Sequence, residues 1–345
     1  MGAVDMEGPI VAVCMPAFNR ADLISETLDS VLAQSWPHWE LRVVDDGSTD
    51  RTKDVIAEYV RRDSRITLED RKGGPKGACT CRNQAVLASS ADYVMFLDTD
   101  DIIEPFCLEQ RVRAMDANPE IEFGIFPGLM FEMVPGDLGL WWNVDRPGTD
   151  ELARQFRQDA IAQGTGILFR RNAFVRIGMW DTSLLIWQDI DLFFRAYIQG
   201  YRYAKFFDLP PDLHNRTNHG SLSRKGFFAL DKQESRATVV RRAVALLHEN
   251  GMADRVPEAR LMASEIIMGA ARSHYFALAD EMLRWAEAES VLTEDEHRRL
   301  TRFVWLHRLR LERLPAARRY SERVVAAFST DGTLGRMPYH GVLEQ

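Results

Sequence analysis

At 345 residues and 46% hydrophobic content, the chain is long enough for two domains and a large core. A formal net charge of -8 argues against bulk binding to nucleic acid and leaves only a local basic face for anionic partners. Four cysteines, Cys14, Cys79, Cys81 and Cys107, lack paired C-x-x-C spacing, so neither a zinc site nor a disulfide framework is indicated, and a reduced, intracellular protein is expected. Met1 to Pro9 lacks the basic-then-apolar pattern of a secretion signal. No apolar run reaches the roughly 18 residues of a membrane span, so the chain is expected neither to cross a membrane nor to be secreted.

The apolar run Ile10 to Met15 predicts a buried strand ending at Pro16, followed by the loop Ala17-Phe18-Asn19-Arg20 and a helical pattern from Leu23 to Val31. Leu41 to Val44 is the next strand. It stops at Asp45-Asp46-Gly47-Ser48-Thr49-Asp50, whose residues suit a tight turn and an N-cap for a helix containing Val55, Ile56 and Tyr59. A short strand, Ile66 to Leu68, leads into the basic, glycine-rich stretch Arg71 to Gly77, and then a helix carries Arg82 and Asn83 on its first turns. The strand Tyr93 to Leu97 ends in Asp98, Asp100 and Asp101, three carboxylates within four residues. Such charges repel unless a cation or water intervenes, and hard oxygen ligands suit Mg²⁺ or Mn²⁺, which also bind substrate phosphates. The alternative is a solvated acidic turn, with Asp100 and Asp101 capping the next helix before Pro105. Strands alternating with helices predict a mostly parallel sheet, whose ligands bind beyond the carboxyl ends of the strands. That rule brings Phe18, Asp46, the Gly73 to Gly77 loop and Asp98 to Asp101 to one edge.

After a helix from Leu108 to Met115 and the apolar run Phe123 to Phe126 come Met130, Phe131, Met133, Trp141 and Trp142, suited to a sugar face if exposed and to the core if buried. Trp187-Gln188-Asp189-Ile190-Asp191 opens a helix whose Leu192, Phe193 and Phe194 face the core. Asp189 then stands near the N-terminus, where the helix dipole favours carboxylate over acid. A strand follows at Tyr203 to Phe207. From about Leu230 the pattern is helical only: Val239 to Leu247, Ile266 to Trp285, and a helix opened by the capping box Thr293-x-x-Glu296. In that last helix Leu300, Val304, His307, Leu311 and Leu314 follow a four-three spacing that predicts packing against the rest of the chain. Arg298, Arg302, Arg308, Arg310, Arg313, Arg318, Arg319 and Arg323 offer a basic face for a membrane surface, and self-association to a homo-oligomer is the other use of these helices.

Pro16 to Arg20, Ser30-x-x-x-Gln34, Val44 to Asp50, Arg82-Asn83 and Phe96 to Asp101 together resemble the N-terminal signature of family 2 glycosyltransferases, in order and spacing, over roughly residues 9 to 225. The resemblance implies an α/β fold: a Rossmann-like, mostly parallel sheet flanked by helices, of the glycosyltransferase A type, here followed by an all-α C-terminal extension. The expected division is a tail at 1–8, a catalytic domain at 9–228 and a helical domain at 229–345. It further implies a nucleotide-sugar donor, Mn²⁺ or Mg²⁺, and inversion at the anomeric carbon. By analogy with the family, Pro16, Ala17, Phe18, Arg20 and Asp46 hold the nucleotide. Phe18 stands where the family usually has tyrosine, so it stacks without donating a hydroxyl hydrogen bond. Asp46 either accepts from a uracil N–H, which favours a UDP-sugar, or caps its turn; Asp45 orders the loop.

The family's Asp-x-Asp-Asp element aligns with Asp98-Thr99-Asp100-Asp101. Asp98 and Thr99 then lie on the donor nucleotide, and Asp100 and Asp101 divide metal coordination and ribose contact. Lys76, Arg82 and Arg71 add charge near the phosphates. Gly164 to Arg171 resembles the strand on the acceptor side, and Gly178 to Asp181 its following turn. Asp189 matches the general base, with Asp191 as competitor or simple first-turn cap; Gln188 replaces the usual glutamate, and Trp187, Gln188 and Asp191 line the acceptor site. In the closing segment, His219 completes the metal or diphosphate shell and Arg224 or Lys225 clamps phosphate. The expected activity is sugar transfer to a hydroxyl of a glycan or lipid-linked glycan in surface polysaccharide synthesis, on the inner side of a membrane. Rival readings are a nucleotidyltransferase making nucleotide sugars, which would not need Asp189, and a nucleotide-binding scaffold without turnover.

Overall fold

The computed structural model describes residues 8–217, 226 and 228–328. Seven strands form the main sheet. In chain order the first half runs β1 (Val11–Ala17), α1 (Ile24–Leu32), β2 (Trp39–Asp45), α2 (Thr52–Arg62), β3 (Ile66–Asp70), α3 (Ala78–Leu87) and β4 (Tyr93–Phe96). After β5 (Ile102–Ile103), α4 (Cys107–Asp116), β6 (Phe123–Ile125), β7 (Gly128–Phe131), β8 (Leu140–Trp141) and α5 (Glu151–Phe156) come β9 (Ile167–Arg170), α6 (Arg171–Ile177), α7 (Gln188–Ile198), β10 (Tyr203–Lys205) and β11 (Leu213–Arg216). The main sheet has the order β10-β6-β9-β4-β1-β2-β3. β3, β2, β1 and β4 run parallel, while β9 lies antiparallel between β4 and β6.

β1 is apolar throughout because helices cover both faces of the sheet. Val11, Val13 and Met15 pack with α1, α2 and α4, whereas Ala12 and Cys14 pack with α3, α6 and α7. All four cysteines are buried and unbridged. The register pairs Ala17 with Asp45 and Asp45 with Asp70, so the loops after β1, β2 and β3 emerge side by side.

A second sheet, β5-β11-β7-β8, is not evident from the sequence pattern, since its strands are two to four residues long. Its β11 is fastened by an ion pair with no exposure at all. The Arg111 guanidinium of α4 grips Asp212 at 2.9 and 2.6 Å and donates a third bond to the Thr165 carbonyl at 2.8 Å. Of the aromatic and methionine side chains between β7 and β8, Met130 and Phe131 are core, Met133 is exposed, and Trp142 closes against Gly128 and Gly166.

The last part is helical: α8 (Leu230–Glu249), α9 (Arg260–Arg272), α10 (Phe276–Ala288), α11 (Glu294–Arg308) and α12 (Pro315–Ala327). Its core is continuous with Leu152 and Phe156 of α5 and with Phe194 and Ile198 of α7. Arg242 of α8 reaches Asp181 at 2.7 Å and Asp191 of α7 at 2.6 Å. The capping box of Thr293 and Glu296 is present. The four-three spacing, however, outruns the helix. α11 ends at Arg308 because Arg310 takes a left-handed conformation (φ 56°), and Leu311 and Leu314 fall outside it, the latter exposed. No helix among the described residues is long and apolar enough to cross a membrane.

Candidate active site

The ends of β1, β2, β3 and β4 open into one cleft. Asp45 accepts from the backbone N–H of Gly47 and Ser48 at 3.0 and 2.8 Å, which folds the turn after β2. Asn19 locks the neighbouring loop to it, donating through its N–H to Ser48 and accepting from the Thr49 N–H. Pro16 and Ala17 finish β1 beneath this junction. Asp46 is buried and receives Arg71 Nε at 2.6 Å, while Arg71 also donates to the carbonyls of Gly73 and Gly74. Arg71 therefore braces the glycine loop against Asp46. Across the cleft, Lys76 Nζ lies 3.7 Å from the Phe18 ring centroid, so the ring presents its face to a cation.

Beyond β4 the four residues of the acidic element separate. Asp98 is part-exposed and hydrogen-bonded to Arg82; Thr99 is buried. Burial, then the charge of Asp98, raises the Asp100 carboxyl above the usual carboxylate range, with Arg20 Nε at 3.8 Å working the other way. Asp101, expected to share in metal binding, is turned toward the surrounding chain. It is buried and accepts from Asn215 Nδ2, the Arg216 N–H at 3.0 Å and Thr165 Oγ1, bonds that fasten β11 to the end of β4.

No group of three His, Cys, Asp or Glu side chains among the described residues could by itself hold a metal. The donor set does fit a cation bound through the Asp100 carboxylate and completed by phosphate oxygens and water, the usual habit of Mg²⁺. His219, Arg224 and Lys225 lie outside the described residues.

The second constellation arrives from α7. Trp187 precedes the helix in a left-handed conformation (φ 63°), a strained turn of the kind found at sites, and Gln188 bonds back to the Leu184 carbonyl. Asp189 follows in the first turn, half-buried beside Gly164. Burial pushes it up to about 6, the nearby Asp98 adds to the rise, and Arg82 and the Gly164 N–H oppose it. Gly164 packs closely here: a Cβ would stand 3.3 Å from Asp189 Oδ1 and 3.4 Å from the Trp180 ring. Arg82 lies over Trp180, and although burial works against its charge, Asp98 and Asp189 help to hold it protonated. Asn83 exchanges hydrogen bonds with the Trp180 backbone, which fixes α3 against the turn leading to α7. Asp191 faces elsewhere: it is buried and paired with Arg195 and Arg242. That placement takes it away from the acceptor contact expected of it and makes it the anchor of α7.

Residues 12–178 match the sequence model of Glycosyl transferase family 2. These residues, just under half of the chain, are similar to that family. The chain is 42% identical over 110 residues to TuaG of Bacillus subtilis (strain 168), provisionally named a teichuronic acid biosynthesis glycosyltransferase. That match covers 31% of this chain and 42% of the relative. It is 38% identical over 113 residues to WfgD of Escherichia coli, named UDP-Glc:alpha-D-GlcNAc-diphosphoundecaprenol beta-1,3-glucosyltransferase, covering 33% of this chain and 44% of the relative. The chain spans less than half the length of either relative. In three dimensions it is similar to Staphylococcus aureus TarS residues 1–349, solved with UDP-GlcNAc, with a TM-score of 0.60 at 16% identity over 92% of each chain. The glycosyltransferase A-type fold is therefore shared, helical region included.

Sequence reasoning gave no role to one residue that touches the acidic element. Arg216 lies over the Phe131 ring, donates from Nε to the Asp100 carbonyl at 3.0 Å and reaches Glu26 at 2.5 Å. It holds the Asp100 backbone from β11. No signal in its own neighbourhood announces this, because the partners lie 116 and 190 residues away.

Proposed function

We propose that this chain transfers a sugar, with inversion, from a nucleotide sugar to a hydroxyl of a glycan or glycolipid acceptor. The carrying observation is that Asp189 and Asp98, from different elements, converge on the single cation Arg82. Burial raises Asp189 toward a base's range against the pull of Arg82, while Asp98 belongs to the donor side. Asp189 takes the proton of the acceptor hydroxyl as that oxygen bonds to the anomeric carbon from the face opposite the diphosphate. The bond from that carbon to the diphosphate oxygen breaks, and the nucleoside diphosphate leaves. A bound Mn²⁺ or Mg²⁺ at Asp100 would supply charge stabilisation for the departing diphosphate. Phe18 offers a stacking face for the base, and Arg20, Lys76 and Arg82 are the cations nearest the phosphates. A nucleotidyltransferase would leave the tuning of Asp189 without a purpose.

WfgD, named for a UDP-sugar donor and a lipid diphosphate acceptor, and the UDP-GlcNAc complex of TarS support a uridine donor and surface polysaccharide synthesis. Calorimetric titration with uridine, guanosine, cytidine and thymidine diphosphates, each with Mn²⁺ and with EDTA, tests this reading. UDP should bind best, and EDTA should weaken it by about tenfold or more, equivalent to ~1.4 kcal/mol. No binding of any nucleotide under either condition sinks the proposal.

A membrane-facing role for the helical part rests on one exposed face of α11, where Arg298, Arg302, Trp305 and Leu309 follow at helical spacing. Each arginine near an anionic surface is worth about 1 kcal/mol. The full chain should sediment with vesicles containing phosphatidylglycerol, and the triple variant R298E/R302E/W305A should stay in the supernatant. Equal sedimentation of both proteins, or with neutral vesicles alone, rules the face out.

A further inference from the structure

Between α9, α11 and α12 lies a cavity of about 800 Å³, lined by Arg272, His307, Glu312, Arg313, Ser321 and Val325 among others. It belongs to helices that do not contribute to the cleft described above. His307 and Ser321 are each only 9% exposed. His307 Nε2, Ser321 Oγ and Glu312 Oε2 are buried without a hydrogen-bond partner. Each unmatched polar atom costs about 1–3 kcal/mol, so three around one cavity mark a place shaped for something that satisfies them. The His307 ring is fixed against Phe303, with centroids 4.4 Å apart, and burial holds it below its ordinary value, hence neutral, with one donor and one acceptor nitrogen. Arg272 lies over the same phenyl ring at 5.7 Å. Among the described residues, neither Arg272 nor Arg313 is ion-paired, whereas Arg318 is engaged by Glu322.

Beside the mutually paired Arg318 and Glu322, the lining offers two guanidinium groups, two buried hydrogen-bonding side chains, one carboxylate acceptor and an apolar wall of Val325 and Ala326. Guanidinium pairs favour tetrahedral oxyanions, and the lone acceptor Glu312 asks for a hydroxyl on the same ligand. We propose that this cavity binds a hydroxyl-bearing organic phosphate: Arg272 and Arg313 hold the phosphate, Ser321 and His307 bond to its oxygens, and Glu312 accepts from the hydroxyl. The phosphate comes either from a free sugar phosphate or from a lipid headgroup.

Calorimetry on the full chain, with glucose 1-phosphate as the free probe, glucose as its uncharged control and phosphatidylglycerol vesicles as the lipid probe, tests it. Glucose 1-phosphate should bind one per chain and glucose should not. R272M and S321A should each weaken binding about tenfold, ~1.4 kcal/mol. S321A removes an unmatched buried hydroxyl, so its thermal midpoint should equal or exceed that of the wild type, and weaker binding there is not misfolding. If only the vesicles bind, and both variants lose that binding, the site is a headgroup site. The proposal is overturned if neither probe binds, or if both variants bind like the wild type, as they would were the probe lodged in the donor cleft.

Discussion

Asp189→Asn should lower kcat by about 10²- to 10⁴-fold while leaving donor affinity and donor KM nearly unchanged, because an amide of the same shape cannot take a proton. The sign of the pH dependence follows from the same carboxyl. It works only when ionised, and burial raises it to about 6. Wild-type kcat should therefore fall as pH drops through about 6, earlier than for an ordinary carboxylate, and the residual rate of D189N should lack that limb. The neighbouring cation gives the internal control: Arg82 also holds Asp98, so a purely structural role for Asp189 would disturb donor binding as much as turnover. Turnover of D189N at the wild-type rate removes the general-base assignment, whatever the nucleotide affinity.

Arg111→Leu or Asp212→Leu alone should cost about 3–5 kcal/mol of stability by urea denaturation, and the double variant should recover much of it. Each single change leaves a charge with no exposure and no counter-ion, whereas the double change leaves an apolar pair in an apolar setting. The effect should reach the cleft as well. Arg111 holds the Thr165 carbonyl, and Thr165 Oγ1 bonds to Asp101. Single and double variants of equal stability, or losses below about 1 kcal/mol, would show that the pair contributes little.

Legibility in the sequence tracked distance along the chain. The Asp45 turn was readable because its partners are two and three residues away, and the capping box at Thr293 for the same reason. The parallel strands were readable because burial on both faces leaves long apolar runs. Asp189 is legible as a carboxylate opening a helix, and its raised protonation range comes from surroundings that spacing does not encode. Long-range partners were invisible: Arg71 on Asp46, Asn215 and Arg216 on Asp100 and Asp101, and Arg111 on Asp212 are brought together by topology alone. Asp191 looked like an acceptor residue because it stands two residues from Asp189, yet two helical positions turn it toward Arg195 and Arg242. The four-three spacing past Arg308 misled because periodicity continues in the letters where the backbone has already turned at Arg310.

The bridge from Arg242 to Asp181 and Asp191 limits how freely chains of this kind can exchange their tails. The arginine is supplied by the first helix beyond the α/β part, and it neutralises carboxylates on either side of the segment that delivers Asp189. A graft of unrelated helices would need a cation at the same spot and an apolar surface against Phe194 and Ile198. Modularity in such a chain would thus be restricted by a single guanidinium: whatever replaces the tail has to be compatible with the helix that carries Asp189.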